Sequence, residues 1–249
     1  MRSEKISVVI PCFNEGKSIF DNIKKIHTYL AEHFSDFEII AVNDGSADNT
    51  MSELRLAHHD MPFTIIDSKE NEGKGDAVKK GILASKLGQE FVMFLDADLA
   101  IPIEELKKFL DAMNEKGYDL AIASRFVPGL KILEPVLWYR KIMEQVFRLL
   151  RKIILNSWKV QDTQCGFKVF HRSAAERIFK MATVKRFAFD AEIIFLAKKM
   201  GYSIKELPIT LQNPRKSHVR LFLDPLNMFF ALVKIRMNDF KGVYQWKSK

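Results

Sequence analysis

The sequence predicts an α/β protein with a Rossmann-like, mostly parallel sheet flanked by helices. Short runs of β-branched and aromatic residues alternate with longer segments whose apolar residues recur every three or four positions. The first strands end in polar loops that contain glycine, which is typical of the ligand-binding edge of an open parallel sheet. A chain of 249 residues, 47% of them hydrophobic, suits one large α/β domain.

The amino-terminal half consists of strands followed by loops and helices. Strands are predicted at 6–10, 38–42, 63–66 and 91–95, and helices at 17–33, at 49–58 and after a start at 71–76. The first helix follows from Ile19, Ile23 and Ile26, which recur at steps of four and three. Because parallel strands end at one edge of a sheet, the loops that follow them are expected to lie together.

Asp96 and Asp98 follow the fourth strand without a polar transition. The run Phe-Val-Met-Phe-Leu at 91–95 is apolar enough to be buried on both faces, so carboxylates directly after it face a crevice. Two neighbouring carboxylates repel unless a cation joins them, and Mg²⁺ prefers one or two carboxylates plus phosphate oxygens of a substrate. The alternative interpretation is an acidic helix start, with Glu104 and Glu105 in its first turn.

The other loops of this half carry groups that suit a nucleotide. Glu15 and Asp44 can accept hydrogen bonds from a base or a ribose, and Lys74 can contact a phosphate between Gly73 and Gly75, which allow close backbone approach. Each loop taken alone is equally typical of a turn or a helix cap. The expected convergence of the loops on one edge favours the functional interpretation.

The carboxyl-terminal half continues the alternation. Strands are predicted at 119–123, 168–171 and 204–211, and helices at 103–116, at 138–156, at 173–181, from 187 and from 224. The strand at 119–123 brings Arg125 to the same edge. The helix at 138–156 has an apolar stripe that includes Val146 and Ile153 and a solvated basic face that includes Arg151. It is therefore either a core helix or a helix that lies on lipid.

Residues 213–249 are predicted to form a basic unit after a domain at 1–212. A polar loop at 213–220 precedes the last helix. The predicted apolar face of this helix consists of Leu226, Phe229, Phe230, Val233, Met237 and Phe240. Its apolar run is shorter than the roughly 20 residues that a bilayer requires. We expect this helix either to lie in the headgroup region, with Tyr244 and Trp246 as interfacial anchors, or to dock on the domain.

Charge and cysteine content narrow the class of protein. The net charge is +8, and its excess lies in 138–160, with six Lys or Arg against one Glu, and in 213–249, with eight against two Asp. This pattern indicates phosphate groups or an acidic membrane as partner, whereas nucleic acid is not expected because aliphatic stripes interrupt the basic residues.

Cys12 and Cys165 are too few for a disulfide framework, and the amino terminus lacks a signal-peptide layout, so a cytoplasmic location is expected. Cys165, which has no flanking His, is interpreted as a buried hydrophobe.

Five motifs in this order resemble the inverting family-2 glycosyltransferases of GT-A fold. They are Pro11-Cys-Phe-Asn-Glu15, Asn43-Asp-Gly-Ser46, Asn71-Glu-Gly-Lys-Gly75, Asp96-Ala-Asp98 and Asp162-Thr-Gln-Cys-Gly-Phe-Lys168. The likeness spans about residues 6 to 220. Within the family it is strongest to the polyprenyl-phosphate branch, first to the dolichyl-phosphate glucosyltransferases and second to the dolichyl-phosphate mannose synthases.

The resemblance implies roles for individual residues. The nucleotide sugar is expected at Pro11, Phe13, Asn14, Glu15, Asp44, Lys74 and Asp96. Mg²⁺ or Mn²⁺ is expected at Asp96 and Asp98. The acceptor phosphate is expected at Arg125, Arg140, Arg215, Lys216 and Ser217. Asp162 is expected to be catalytic, either orienting the acceptor or stabilising positive character at the sugar carbon. Ala100 and Glu144 depart from the pattern, since the mannose synthases have a metal-binding Gln at the first position and the family has a Ser at the second.

These observations predict the transfer of a hexose, glucose from UDP-glucose in preference to a GDP-sugar, to a polyprenyl phosphate with inversion. A phosphate monoester is largely ionised at neutral pH and needs no general base to attack, only positioning and charge neutralisation. The expected location is the cytoplasmic face of a membrane, with a membrane-spanning partner left open. Two alternatives remain: a soluble transferase acting on a hydroxyl, with Asp190 or Glu192 as base, or a non-catalytic binding protein.

Overall fold

The computed structural model describes residues 2–86, 88–132, 138–212 and 223–245, and within them the side chains of 2, 132, 138–142 and 223–225 are outside the description. The strands of the described residues form two sheets: β1 (Arg2–Cys12), β2 (Phe34–Asp44), β3 (Thr64–Ser68), β4 (Phe91–Leu95), β5 (Leu120–Ser124), β6 (Lys131–Ile132), β7 (Phe167–His171), β8 (Ile204–Pro208) and β9 (Thr210–Leu211). The α-helices that the structure describes lie between or after them: α1 (Ile19–His33), α2 (Thr50–Asp60), α3 (Lys74–Ala84), α4 (Leu106–Lys116), α5 (Trp138–Ile154), α6 (Arg172–Met181), α7 (Phe189–Lys199) and α8 (Leu223–Phe240).

The main sheet has seven strands in the order β3-β2-β1-β4-β7-β5-β8 and separates two layers of core. Alternate residues of β1 point to opposite sides, so Ile6, Val8 and Ile10 join the layer under α1, α2 and α4, whereas Val9 joins the layer under α3, α6 and α7. Both faces of the central strands are therefore buried, which explains their continuous apolar runs. The predicted mostly parallel sheet with helices on both faces is confirmed.

Strand β7 is the exception to the parallel pattern. It is antiparallel to both of its neighbours, β4 and β5, while β1 to β4 pair in parallel. The amino end of β7 therefore lies at the same edge as the carboxyl ends of β1, β2, β4 and β5, and Phe167 pairs with Leu95. As a result, the turn at 162–166 is brought beside the loop that follows β4.

The predicted strand at 204–211 is divided between two sheets. Strand β8 pairs with β5 as far as Pro208, and β9 pairs with β6. Pro208 has no amide hydrogen to continue the ladder. The next residue, Ile209, is buried and accepts a hydrogen bond from Lys131 N at 3.0 Å.

Helix α5 is rotated relative to the predicted stripe. Val146 and Ile153 are exposed, whereas Arg151, expected on the solvated face, is only 1% exposed. The Arg151 guanidinium donates to Ser157 Oγ at 2.6 Å and to Val160 O at 2.9 Å, so it satisfies the loop that follows the helix. Burial lowers the pKa of Arg151 to about 10, although Asp162 acts in the opposite direction.

Helix α8 also presents its predicted apolar face to the outside. Leu232 and Ile235 are fully buried against the core, whereas the four exposed apolar side chains are Leu226, Phe230, Met237 and Phe240. The last helix therefore docks on the domain and still leaves an apolar row uncovered. Among the helices that the structure describes, none is both long enough and apolar enough to cross a bilayer.

Tyr244 is not an interfacial anchor, contrary to the prediction, and Trp246 lies outside the described residues. Tyr244 is buried, and its hydroxyl donates to Glu192 Oε1 at 2.5 Å. Glu192 also accepts hydrogen bonds from Thr183 N at 2.9 Å and Val184 N at 2.8 Å. Burial, followed by the Glu192 charge, raises the pKa of Tyr244. This contact ties the end of the chain to α7.

We predict that Tyr244→Phe lowers the free energy of unfolding by about 2 kcal/mol, because a buried carboxylate loses a donor. Urea unfolding followed by circular dichroism measures the change. Tyr202→Phe is the matched control, since Tyr202 packs on the same core and its hydroxyl makes no hydrogen bond to the residues described. Equal effects of the two substitutions would contradict the assigned role of the contact.

Candidate active site

The loop after β4 forms a tight turn that carries Asp96 and Asp98. Leu99 N donates to Asp96 O at 3.1 Å, and Asp98 Oδ1 accepts Ala100 N at 3.0 Å. Leu99 adopts a φ of 51°, a left-handed conformation that is uncommon for a residue with a Cβ. This conformation closes the turn at the point where the two carboxylates leave the sheet.

Lys74, at the first position of α3, pairs with Asp96. Its Nζ lies 2.5 Å from Asp96 Oδ1. Burial acts to lower the pKa of Lys74, but Asp96, Asp190 and Asp98 outweigh it and raise the pKa above its usual value. The ammonium thus supplies positive charge at the place where the sequence predicts a metal ion.

The donor atoms at this turn fit a hard divalent cation. Carboxylate oxygens are the ligands that Mg²⁺ prefers, and one or two of them suffice when substrate phosphates complete the shell. No group of three or more His, Cys, Asp or Glu with the arrangement of a metal site occurs among the residues that the structure describes. Asp96 and Asp98 are the two carboxylates that the loop after β4 carries at this edge of the sheet.

Gly166 packs directly on the Asp96 carboxylate. Asp96 N donates to Gly166 O at 3.0 Å, and a Cβ on Gly166 would lie 2.0 Å from Asp96 Oδ2. Any side chain at this position would displace the carboxylate. The turn at 162–166 is thereby fixed against the acidic loop.

The loops after β1 and β2 are joined by hydrogen bonds. Asn14, with a φ of 57°, accepts Ala47 N at 2.9 Å and donates its own N–H to Ser46 Oγ at 3.0 Å. Glu15 N donates to Thr50 Oγ1 at 2.8 Å. Pro11 lies in the last part of β1, and the Phe13 side chain is exposed beyond it. These residues lie at the end of the edge where the sequence predicts the nucleoside.

Asp44 has a structural role that the sequence did not indicate. It is buried, and its two carboxylate oxygens accept Glu72 N and Gly73 N, each at 2.9 Å. Gly73 has a φ of 108°, which favours glycine, and it immediately precedes Lys74. Asp44 therefore holds the loop that delivers Lys74 to Asp96.

Arg125, which follows β5, and Asp162, which begins the turn at 162–166, form a two-point ion pair. Arg125 Nε and Nη2 donate to Asp162 Oδ2 and Oδ1 at 2.8 and 3.0 Å, and Arg125 N donates at 3.1 Å. Burial acts to raise the pKa of Asp162, but Arg125 holds it below its usual value. Glu144 pairs with Arg125 Nη1 from α5. Arg125 thus bridges two carboxylates.

The acidic loop and the arginine therefore converge on the turn at 162–166. Asp162 at its start holds Arg125, and Gly166 at its end packs on Asp96. Cys165 between them is buried and lies within the electrostatic influence of Asp162, Arg125, Lys168 and Asp96. One short turn thus joins the two groups of opposite charge that the sequence predicts.

The remaining predicted acceptor residues lie wholly or partly outside the described part of the chain. Arg140 lies on α5, but its side chain is outside the described residues, as are Arg215, Lys216 and Ser217 entirely. Gln212, just before that segment, donates its N–H to Ala100 O at 2.8 Å. Gln212 is therefore anchored to the loop that carries Asp98, at a residue two positions after that carboxylate.

Lys168 and Asp190 form a buried ion pair that sequence analysis missed. Lys168 Nζ lies 2.5 Å from Asp190 Oδ1 and 2.5 Å from Cys165 O, so it also supports the turn at 162–166. Burial raises the pKa of Asp190, although Lys168 and Lys74 oppose the shift. A lysine between Phe167 and Val169 in a buried strand was the available signal. A charged residue at such a position requires a partner.

Glu192 is excluded as the general base of the alternative reaction. It is fully buried, and its oxygens are occupied by Thr183, Val184 and Tyr244. Asp190 is also buried and is held by Lys168.

Sequence comparison associates the chain with transferases of sugars. A family model described as "Glycosyl transferase family 2" matches residues 7–179. A dolichyl-phosphate beta-glucosyltransferase of Saccharomyces cerevisiae is 32% identical over 98% of this chain and 78% of the relative. The human protein of the same description is 28% identical over the same shares of the two chains.

Two solved structures share the fold at low sequence identity. Glucosyl-3-phosphoglycerate synthase from Mycobacterium tuberculosis, in complex with Mn²⁺, UDP and glucosyl-3-phosphoglycerate, has a TM-score of 0.66 at 18% identity over 94% of this chain and 79% of that one. Mannosyl-3-phosphoglycerate synthase from Rubrobacter xylanophilus has a TM-score of 0.68 at 18% identity over 99% and 77%. At this identity the likeness supports the fold alone.

We predict that neither thiol reacts with iodoacetamide in the folded protein at pH 8. Burial raises the pKa of Cys165 to about 12 and also raises the pKa of Cys12, so the reactive thiolate is scarce. Mass spectrometry of the labelled peptides measures the modification, and the protein in urea is the control in which both thiols become reactive. Rapid labelling of Cys165 in the folded protein would restore it as a candidate nucleophile.

Proposed function

The chain belongs to glycosyl transferase family 2, and from this membership we propose that it transfers glucose from UDP-glucose to a polyprenyl phosphate with inversion at the sugar carbon. It is a glycosyltransferase of GT-A fold related over nearly its whole length to dolichyl-phosphate beta-glucosyltransferases. The observation that carries the proposal is the convergence of Asp96 and Arg125 on the turn at 162–166. The turn thereby has the acidic Asp96 at one end and the basic Arg125 at the other.

The donor is proposed to bind at the acidic end of the edge. Pro11, Phe13, Asn14, Glu15 and Asp44 would receive the nucleoside, with Lys74 and Asp96 at the sugar diphosphate. Solved proteins with the same fold contain UDP with Mn²⁺ or Mg²⁺. A Mg²⁺ or Mn²⁺ ion held by Asp96 and Asp98 would supply charge neutralisation to the departing nucleoside diphosphate.

The acceptor phosphate is proposed to bind on the arginine side. A guanidinium suits this role because it is always charged and presents a planar set of donors to phosphate oxygens. Arg125 is oriented by Asp162, and Arg140, Arg215, Lys216 and Ser217 are proposed as further contacts. Since the phosphate oxyanion is itself the nucleophile, no general base is required, and Asp162 orients the acceptor through Arg125.

The acceptor lipid is proposed to reach the site from the cytoplasmic face of a membrane. Two exposed apolar rows support this location: Val146, Leu149 and Ile153 on α5, and Leu226, Phe230, Met237 and Phe240 on α8. Basic residues of the same helices, Arg148, Lys152, Lys234 and Arg236, can contact anionic headgroups. The two helices pack against each other, and both rows are proposed to meet the same membrane surface.

The proposed reaction predicts a lipid-extractable product. Purified protein with Mn²⁺ or Mg²⁺ and a short-chain polyprenyl phosphate is incubated with labelled UDP-glucose, GDP-mannose or UDP-N-acetylglucosamine, and label in the organic phase is counted. We expect product from UDP-glucose, and we expect Asp98→Asn to reduce the rate at least about a hundredfold because diphosphate charge is left uncompensated.

Asp60→Asn, at an exposed end of α2, is the matched control for the loss of one carboxylate and should retain the rate. Label that remains in the aqueous phase on an added sugar or peptide would instead identify a soluble transferase. If the wild-type protein transfers label to no acceptor, and it binds the nucleotide sugar as tightly as Asp98→Asn does, the chain is a non-catalytic binding protein.

The proposed location predicts binding to lipid vesicles. In flotation with phosphatidylcholine and phosphatidylserine vesicles, Phe230→Ser combined with Phe240→Ser is expected to weaken binding at least about tenfold, because two large exposed side chains no longer enter the interface. Leu56→Ser is the matched control, since Leu56 is exposed to a similar extent on α2. Unchanged flotation of the double variant would show that another surface meets the membrane.

A further inference from the structure

Glu144 occupies a donor position of Arg125 that an external anion would use. Its carboxylate pairs with Arg125 Nη1, while Nε and Nη2 of the same guanidinium donate to Asp162. An arginine binds phosphate through neighbouring N–H groups of its planar fork. Asp162 takes the Nε–H and one Nη2 N–H, so the Nη1 group and the second Nη2 N–H are the donors that remain for a ligand.

The local charge opposes the binding of an anion while Glu144 stays in place. Arg125 contributes one positive charge against the two carboxylates of Asp162 and Glu144, so this group of three carries a net charge of −1. A doubly charged phosphate monoester is repelled by such a group. Departure of one carboxylate from Arg125 would remove this repulsion and leave N–H donors for the acceptor phosphate.

Glu144 is the carboxylate that can leave. The Asp162 side chain is 2% exposed and also accepts N–H groups from the backbone of Arg125 and Gln164, whereas the Glu144 side chain is 28% exposed. Arg148 lies four residues further along α5, a spacing at which helical side chains meet. The Arg148 guanidinium lies 4.2 Å from the centre of the Phe126 ring, beside Arg125.

We propose that Glu144 is an internal counter-anion that holds the acceptor-phosphate position on Arg125 and is displaced toward Arg148 when the acceptor binds. The proposal rests on the proposed function, since it requires Arg125 to receive that phosphate. Burial raises the pKa of Glu144, Arg125 opposes the shift and Asp162 adds to it. A phosphate dianion can replace a carboxylate on arginine, whereas a neutral hydroxyl cannot. Glu144 thereby selects charged acceptors.

The test compares Glu144→Gln with the wild-type protein. Loss of the competing charge is expected to lower KM for a short-chain polyprenyl phosphate about fivefold, with kcat and KM for UDP-glucose within about twofold of wild type. Glu115→Gln, exposed on α4, removes the same charge elsewhere and controls for the overall potential. An acceptor KM that is unchanged or raised in Glu144→Gln overturns the proposal and makes Glu144 a positioning residue for Arg125.

A direct binding measurement separates this proposal from the proposed reaction. Calorimetric titration of farnesyl phosphate into the same proteins, without a donor, is expected to give tighter binding to Glu144→Gln by about the same factor. If the wild-type protein makes no lipid-linked product, the proposed reaction fails, and the titration still decides whether Glu144 competes with a phosphate monoester. Equal affinity of the wild-type protein and Glu144→Gln overturns the competition.

Discussion

The contact between Gly166 and the Asp96 carboxylate is the constraint on which the rest of the site depends. It exists because β7 runs antiparallel between β4 and β5 and so brings the turn at 162–166 to the edge where the other strands end. The absence of a side chain at Gly166 lets the turn approach Asp96. Lys168 Nζ donates a hydrogen bond to Cys165 O and so supports the same turn. Arg125 is then fixed beside the acidic loop through Asp162 at the other end of the same turn.

The charges of the site are balanced internally. The Lys74 ammonium neutralises Asp96 at the proposed metal position, and Glu144 neutralises part of Arg125 at the proposed phosphate position. Uncompensated charges near a low-dielectric core are costly, so a site that receives a cation and two phosphorylated ligands requires such internal partners while it is empty. Asp162, the partner of Arg125, and the pair of Asp190 with Lys168 are more deeply buried than Glu144.

The two amphipathic helices show why an apolar stripe does not identify its partner. In α8, the residues at 226, 230, 237 and 240 form a row with helical spacing, yet the core contact is made by Leu232 and Ile235. In α5, Arg151 is buried because its guanidinium satisfies backbone carbonyls that a hydrocarbon side chain would leave unpaired. Helical periodicity shows which residues share one face of a helix. Which face is buried depends on which one meets another element of the fold.

The sequence by itself determined the alternation of strands and helices, the strand ends that carry Asp96, Asp98 and Arg125, and the family. These are local properties, since strand and helix patterns repeat over a few residues and the family motifs are contiguous. Only the tertiary structure decided that β7 is inserted antiparallel, that Asp44 holds the Lys74 loop, that Tyr244 is buried on Glu192, and that Glu144 meets Arg125. Each of these is a contact between segments distant in sequence, and no periodicity within one segment specifies which distant side chain will satisfy its polar groups.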